Sequence, residues 1–180
     1  MSIVMIKSTE LVLGAVAVLA LSACQGLNMG RHAHAQADMH ARSASQVQGQ
    51  VAFKKANQGL RVSVQLTGLT PNQAHAIHIH ANGDCSAPDA TSAGGHFNPD
   101  HQMHGSVNTA HHAGDLPNIT ADAQGHASVD FIAKDLSLDN GALTDIKGRS
   151  VVVHERADDY HSQPAGNAGK RIACGVIKKV

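Results

Sequence analysis

Apolar and polar residues alternate in several short runs beyond Val47. Val47, Gly49, Val51 and Phe53 fall at every second position, with Gln48, Gln50 and the small Ala52 between them. Leu60, Val62, Val64 and Leu66 alternate with Arg61, Ser63 and Gln65, and Asn57-Gln58-Gly59 between the two runs has turn chemistry. Period-two patterning on both sides of such a turn predicts a β-hairpin. Ala74–His80, Ala127–Ala133, Ser150–His154 and Ile172–Ile177 are further strand candidates. No long apolar stripe at helical spacing occurs after the leader. Many short strands joined by Gly-rich turns predict an all-β sandwich or barrel. Residues 81–118 break the pattern with Gly, Asn, Asp and His in place of apolar runs. A loop of that length inside a compact domain points to function, and metal could order it in place of a core.

Residues 1–23 read as an export signal. Lys7 gives a charged start, and Leu11–Leu21 is an apolar run too short to span a bilayer. Leu21-Ser22-Ala23-Cys24 resembles a bacterial lipobox, with Cys24 as the lipidated new N-terminus. Residues 24–46 lack a sustained apolar period and are expected to form a flexible His/Ala-rich tether. His32, His34, His40, Met29 and Met39 in it could capture metal loosely, although a plain solvated tether explains them as well. The folded domain is expected over residues 47–180.

Composition narrows the chemistry. Lys plus Arg equals Asp plus Glu at 14 each, so nothing in the charge balance suggests a nucleic-acid partner. His also numbers 14, and the special uses of imidazole are metal ligation and titration near neutral pH. With one Tyr, three Phe and no Trp, the core must be aliphatic.

The imidazoles fall in a recognisable order. On a strand, His78 and His80 point to one face, while Ile77 and Ile79 point to the other. Then follow Gly94-Gly-His96-Phe-Asn-Pro99, His104-Gly105, His112-Ala-Gly-Asp115-Leu-Pro-Asn118, Val151-Val-Val-His154-Glu and Gly166-Asn-Ala-Gly169 with Arg171 and Cys174. In this order the blocks resemble the copper/zinc superoxide dismutase family, in its bacterial lipoprotein form, over the whole of Val47–Val180.

The resemblance implies an eight-stranded Greek-key β-barrel, immunoglobulin-like, with long metal-binding and active-site loops. It implies copper on His78, His80, His96 and His154, and zinc on His96, His104, His112 and Asp115. His96 would be shared by both ions, with copper changing oxidation state while zinc holds His96 in position. Imidazole suits copper in both of its oxidation states, and zinc accepts three nitrogens and a carboxylate. Arg171 would attract and orient superoxide. Asp158 would bridge a zinc ligand, His104, to a copper ligand, either His78 or His80. Cys85 would pair with Cys174. Once Cys24 carries lipid those two are also the remaining cysteines, and such a long closure stabilises by about 4 to 5 kcal/mol in the chain-entropy model.

Extra imidazoles stand at His75, His101 and His111. The spacing to Asp115 favours His112 over its neighbour His111, with exchange between them open. His126 and His161 are expected to face solvent. Between His154 and Arg171 the chain is shorter than in familiar eukaryotic members of the family. The expected function is dismutation of superoxide to oxygen and hydrogen peroxide. The alternative is a copper/zinc binding or delivery protein on the same fold without dismutase activity. A metallohydrolase would want an Asp where Asn82 stands. The expected location is the periplasm. Gln25 places the anchor on the outer membrane by family-level sorting rules, and the lipid is the only membrane contact expected. A homodimer is possible, but no apolar interface is legible.

Overall fold

Alternation governs the sheet. In the computed structural model, which describes Met1 and residues 34–180, nine strands follow one another. They are β1 (Ala35–Ala41), β2 (Gln48–Lys55), β3 (Leu60–Thr67), β4 (Ala74–His75), β5 (Ile77–His80), β6 (Ile119–Thr120), β7 (Ala127–Ala133), β8 (Ser150–His154) and β9 (Arg171–Lys179). In β3, Leu60, Val62, Val64 and Leu66 are buried while Arg61 and Thr67 are exposed. A slip of one residue would turn that whole set into solvent, which fixes the register. β2 and β3 pair antiparallel from Gln48↔Thr67 to Lys55↔Leu60, closed by the predicted turn. Gly59 takes φ +71° there, a left-handed conformation that glycine adopts without a Cβ penalty.

Seven strands form one antiparallel sheet in the order β5-β8-β9-β1-β2-β3-β7, and β4 and β6 form a two-stranded ribbon. The chain crosses from β3 to the far edge at β5, and from β7 back to β8, which is Greek-key connectivity. β4 and β5 are separated only by Ala76, whose N–H and C=O pair with Arg156 and His154. They are one strand changing partners, so the nine segments correspond to the expected eight strands. Among the described residues the helical structure is a short 3-10 turn at Thr91–Ala93.

The core is aliphatic, as composition requires. Phe53, Leu60, Ile77, Ile79 and Ile177 are essentially inaccessible, each contributing about 1.5 to 3 kcal/mol by burial. β8 is buried on both faces. Val151 and Val153 enter the main core, while Val152 packs with Ala90, Ala93 and Cys174 on the outer side. That explains its unbroken valine run.

The expected tether requires a correction. Of residues 24–46, Ala35–Ala41 form β1, in the middle of the sheet between β9 and β2. Ala35, Ala37 and Met39 point inward and are buried. Methyl groups facing the core give little hydrophobic signal in sequence, and the ladders on both sides supply what the side chains lack. The folded domain therefore starts ahead of Val47, and Met39 is a core residue, not a loose metal trap. The expected export signal, Cys24, Met29 and His32 lie outside the described residues.

The disulfide Cys85–Cys174 is present, with Cα atoms 5.7 Å apart across a sequence separation of 89. It ties the start of the long loop to β9.

Candidate metal centre

The free edge of β5 is where the long loop docks. Phe97 N–H donates to Ile79 C=O at 2.8 Å, Ile79 N–H to Gly114 C=O at 2.9 Å, and Ala81 N–H to Gly95 C=O at 2.9 Å. These bonds satisfy edge groups that would otherwise be exposed, and they bring His96 and Asp115 beside His80 and His78. Gly114 is needed for this approach, because a Cβ there would lie 2.3 Å from the Ile79 carbonyl oxygen.

Two sets of ligating atoms result. His78, His80, His96 and His154 each present one nitrogen, all within 4.8 Å of one another; His96, His104 and His112 with one nitrogen each and Asp115 with one carboxylate oxygen form a second such group. His96 belongs to both. These are the two sets expected from sequence, and the structure brings all seven residues together.

Hydrogen bonds on the outer side of each ring decide which nitrogen points inward. His80 Nδ1 is bonded to Gly94 C=O at 2.9 Å and His154 Nδ1 to Gly169 C=O at 3.3 Å, leaving both Nε2 atoms inward. His78 is reversed: its Nε2 meets Asp158 Oδ2 at 2.8 Å, leaving Nδ1 inward. His96 Nδ1 faces Asp115 Oδ1 at 2.8 Å and its Nε2 faces the other set. The inward atoms of the first set, His78 Nδ1, His80 Nε2, His96 Nε2 and His154 Nε2, are buried and have no hydrogen-bond partner. Unpaired buried polar atoms are costly and rare, and four converging on one point fit a bound cation.

The second set is tighter. His96, His104 and His112 all present Nδ1 to Asp115 Oδ1, at 2.8, 3.1 and 3.3 Å. His96 and His112 Nδ1 lie 3.4 Å apart. Donors bound tetrahedrally at about 2.0 Å stand roughly 3.3 Å from one another, so these spacings fit zinc. The other oxygen of Asp115 accepts the His112 and Gly105 N–H groups at 2.9 and 3.2 Å. Burial pushes the Asp115 carboxyl up, but the hydrogen bond from His96, the neighbouring imidazoles and the His112 amide together hold it well below the usual carboxylate range.

Asp158 resolves the choice left open by sequence: it joins His78, not His80, to His104, whose Nε2 lies 2.9 Å from Oδ1. Partners of this kind fix ring orientation and tautomer. Three residues that hold this frame were not identified from sequence. Asn118 grips the Asp158 backbone with two hydrogen bonds of 2.8 and 3.0 Å. Gln163 brackets His104, accepting from its N–H at 2.9 Å and donating to its C=O at 2.8 Å. Gly166, at φ +66°, leaves room where a Cβ would lie 1.9 Å from Asp158 Oδ1. Asn118 stands inside a recognisable block; Gln163 had no sequence signal.

Arg171 lies across the β8–β9 ladder from His154. Its Nη1 donates to Ala90 C=O at 2.8 Å, and Ala90 packs in the cluster that contains Cys174, with Cys85 against it. The disulfide-clipped loop thus holds the guanidinium. Burial lowers the pKa of His78 and His80 well below the ordinary value and that of His154 to about 4, with His96 adding to all three and Arg171 to His80 and His154.

The remaining imidazoles fall outside both sets. His75 is on β4, not in the loop; it is fully buried with Nδ1 2.9 Å from the His154 carbonyl. His111 pairs with Asp135 at 3.2 Å. His101, His126 and His161 are exposed.

Comparison with known proteins agrees with this geometry. The profile of the family "Copper/zinc superoxide dismutase (SODC)" matches residues 47–177. The chain is 42% identical over 137 residues to "Superoxide dismutase [Cu-Zn] 2" of Aquifex aeolicus, covering 74% of this chain and 80% of that one. It is 44% identical over 136 residues to "Superoxide dismutase [Cu-Zn]" of Caulobacter vibrioides, covering 72% and 78%. Its fold is similar to the crystal structure of a SOD-like protein from Bacillus subtilis, with a TM-score of 0.71 at 38% identity, covering 78% of this chain and 95% of that one.

Proposed function

The chain belongs to the copper/zinc superoxide dismutase family, and from that premise we propose how its residues divide the work of converting superoxide to oxygen and hydrogen peroxide. Copper would sit on His78 Nδ1, His80 Nε2, His96 Nε2 and His154 Nε2. Zinc would sit on His96, His104 and His112 Nδ1 with Asp115 Oδ1. When bound, copper supplies the one-electron redox change and zinc a fixed charge with no redox of its own. His96 serves both sets because each of its nitrogens faces a different one, and its Nε2 is the atom that takes up and hands on a proton. Arg171, fixed by the Ala90 carbonyl, draws the small anion toward His80 and His154 and orients it. Asp158 keeps the two sets in register through His78 and His104.

The observation that carries this reading is the convergence of four buried, unpartnered imidazole nitrogens beside a fixed guanidinium. A metal store needs the ligands but not Arg171, which separates the dismutase from the delivery protein. The test is superoxide dismutation by the copper- and zinc-loaded protein, with His154→Ala and Arg171→Ala alongside. Fast activity that is lost in His154→Ala, and reduced to a lesser extent in Arg171→Ala, is expected. Metal uptake without dismutation would make the protein a carrier.

We further propose that residues 1–23 direct export, that Cys24 carries a lipid, and that the domain works in the periplasm from the outer membrane. The lipobox resemblance and a disulfide suited to an oxidising compartment support this reading.

A further inference from the structure

The end of the sheet where the described chain begins is basic. β1 enters there: His34 N–H donates to Phe53 C=O, and Val180 N–H to His34 C=O. On the outer face, Lys54, Arg61 and Ile132 are consecutive partners across β2, β3 and β7, and all three are exposed. Lys134 follows, and with Lys54, Lys55 and Arg61 it rims a cleft lined by Ile132. Lys55, Lys147 and Lys179 converge around His34. Of the nearby carboxylates, Asp139 is paired with Lys55 and Asp145 with Lys147, while Asp135 faces the His111 ring and Asp130 accepts from the Ser63 hydroxyl. Among the described residues Lys54, Arg61, Lys134, Lys178 and Lys179 have no ion-pair partner. Since the whole chain carries equal numbers of basic and acidic residues, this concentration is an asymmetry of the surface and not of the composition.

We propose that this basic end docks on the anionic lipid headgroups of the membrane that holds the protein, an inference that rests on the lipid at Cys24. Nine residues lie between Cys24 and His34, a span of ten Cα–Cα steps. At most they reach about 35 Å, and they attach at the basic end. The anchor therefore holds the basic end within that distance of the headgroups, and each Lys or Arg that reaches them strengthens membrane association about fivefold. Arg171 stands at the opposite end of β9 from Lys179, roughly 27 Å away along an extended strand. Docking in this orientation turns the substrate opening toward water and away from a surface that repels superoxide.

The test uses the exported, lipid-bearing protein reconstituted into vesicles of phosphatidylcholine with and without phosphatidylglycerol. Lysine acylation is followed residue by residue by mass spectrometry. Acylation of Lys54, Lys134 and Lys179 should slow about fivefold or more on the anionic vesicles, while Lys170 is unchanged. High salt should abolish the protection. So should the double substitution Lys54→Glu with Lys134→Glu, with dismutase activity retained. Equal acylation on both vesicle types, or equal protection on both, overturns the docking while leaving the anchor. An intact mass without lipid on Cys24 overturns the anchor, and the docking with it.

Discussion

The two halves of the metal centre are built differently. The imidazoles proposed to hold copper, His78, His80 and His154, stand on β5 and β8, strands whose other faces enter the core. The residues proposed to hold zinc, His104, His112 and Asp115, stand on a loop without strands of its own. The strand half keeps its inward nitrogens apart and unpartnered, whereas the loop half is gathered around the Asp115 carboxylate. Core packing thus holds one half in place before any metal arrives. The other relies on an edge ladder, a carboxylate, a disulfide and Gln163.

Breaking the clip separates the halves most strongly. Replacing Cys85 and Cys174 by Ser should destabilise the protein by about 2 to 5 kcal/mol. It should loosen Arg171 and the loop while His78, His80 and His154 still bind copper. Denaturant unfolding and copper titration read the two effects, and unchanged stability would mean that the loop holds itself.

Acid should act on the strand half. A pKa lowered to about 4 in the folded state, against 6.5 unfolded, means that the unfolded chain binds protons more readily between those values. The stability contributed by neutral His154 is complete above pH 6.5 and is lost as pH falls toward 4, amounting to about 3 kcal/mol for the metal-free protein. His78 and His80 act in the same direction. Urea melts of the metal-free protein should show stability falling through this window; a flat profile would contradict the burial argument.

Asp158→Asn tests the bridge between the halves. It should weaken metal affinity by about 10- to 100-fold. The loss should appear at both ions, since His78 and His104 both lose an orienting carboxylate, and competition with a chelator measures it. Gln163→Ala should be milder and confined to the loop half, since two hydrogen bonds are worth about 1 to 2 kcal/mol together. Zinc affinity should fall by about tenfold with copper affinity unchanged.

The same contrast explains what sequence could reveal. His78 and His80 announce themselves by strand spacing, and β3 by its large alternating side chains. β1 alternates just as regularly, but Ala35 and Ala37 turn only methyl groups inward. The choice of Nδ1 or Nε2 depends on where Gly94, Gly169 and Asp158 approach the rings, which is a tertiary fact. So is the grip of Gln163 on His104, made across a sequence separation of 59. The bridge from Asp158 to His78 in preference to His80 is likewise decided by how the loop folds over β5.

A crystal structure of the metal-loaded protein, with anomalous data at the copper and zinc edges, addresses the central claim directly. The account predicts copper on His78 Nδ1 and the Nε2 atoms of His80, His96 and His154. It predicts zinc on Asp115 and the Nδ1 atoms of His96, His104 and His112, so that His96 lies between the two ions. Copper among the loop ligands, or an ion that leaves His154 unbound, would contradict it.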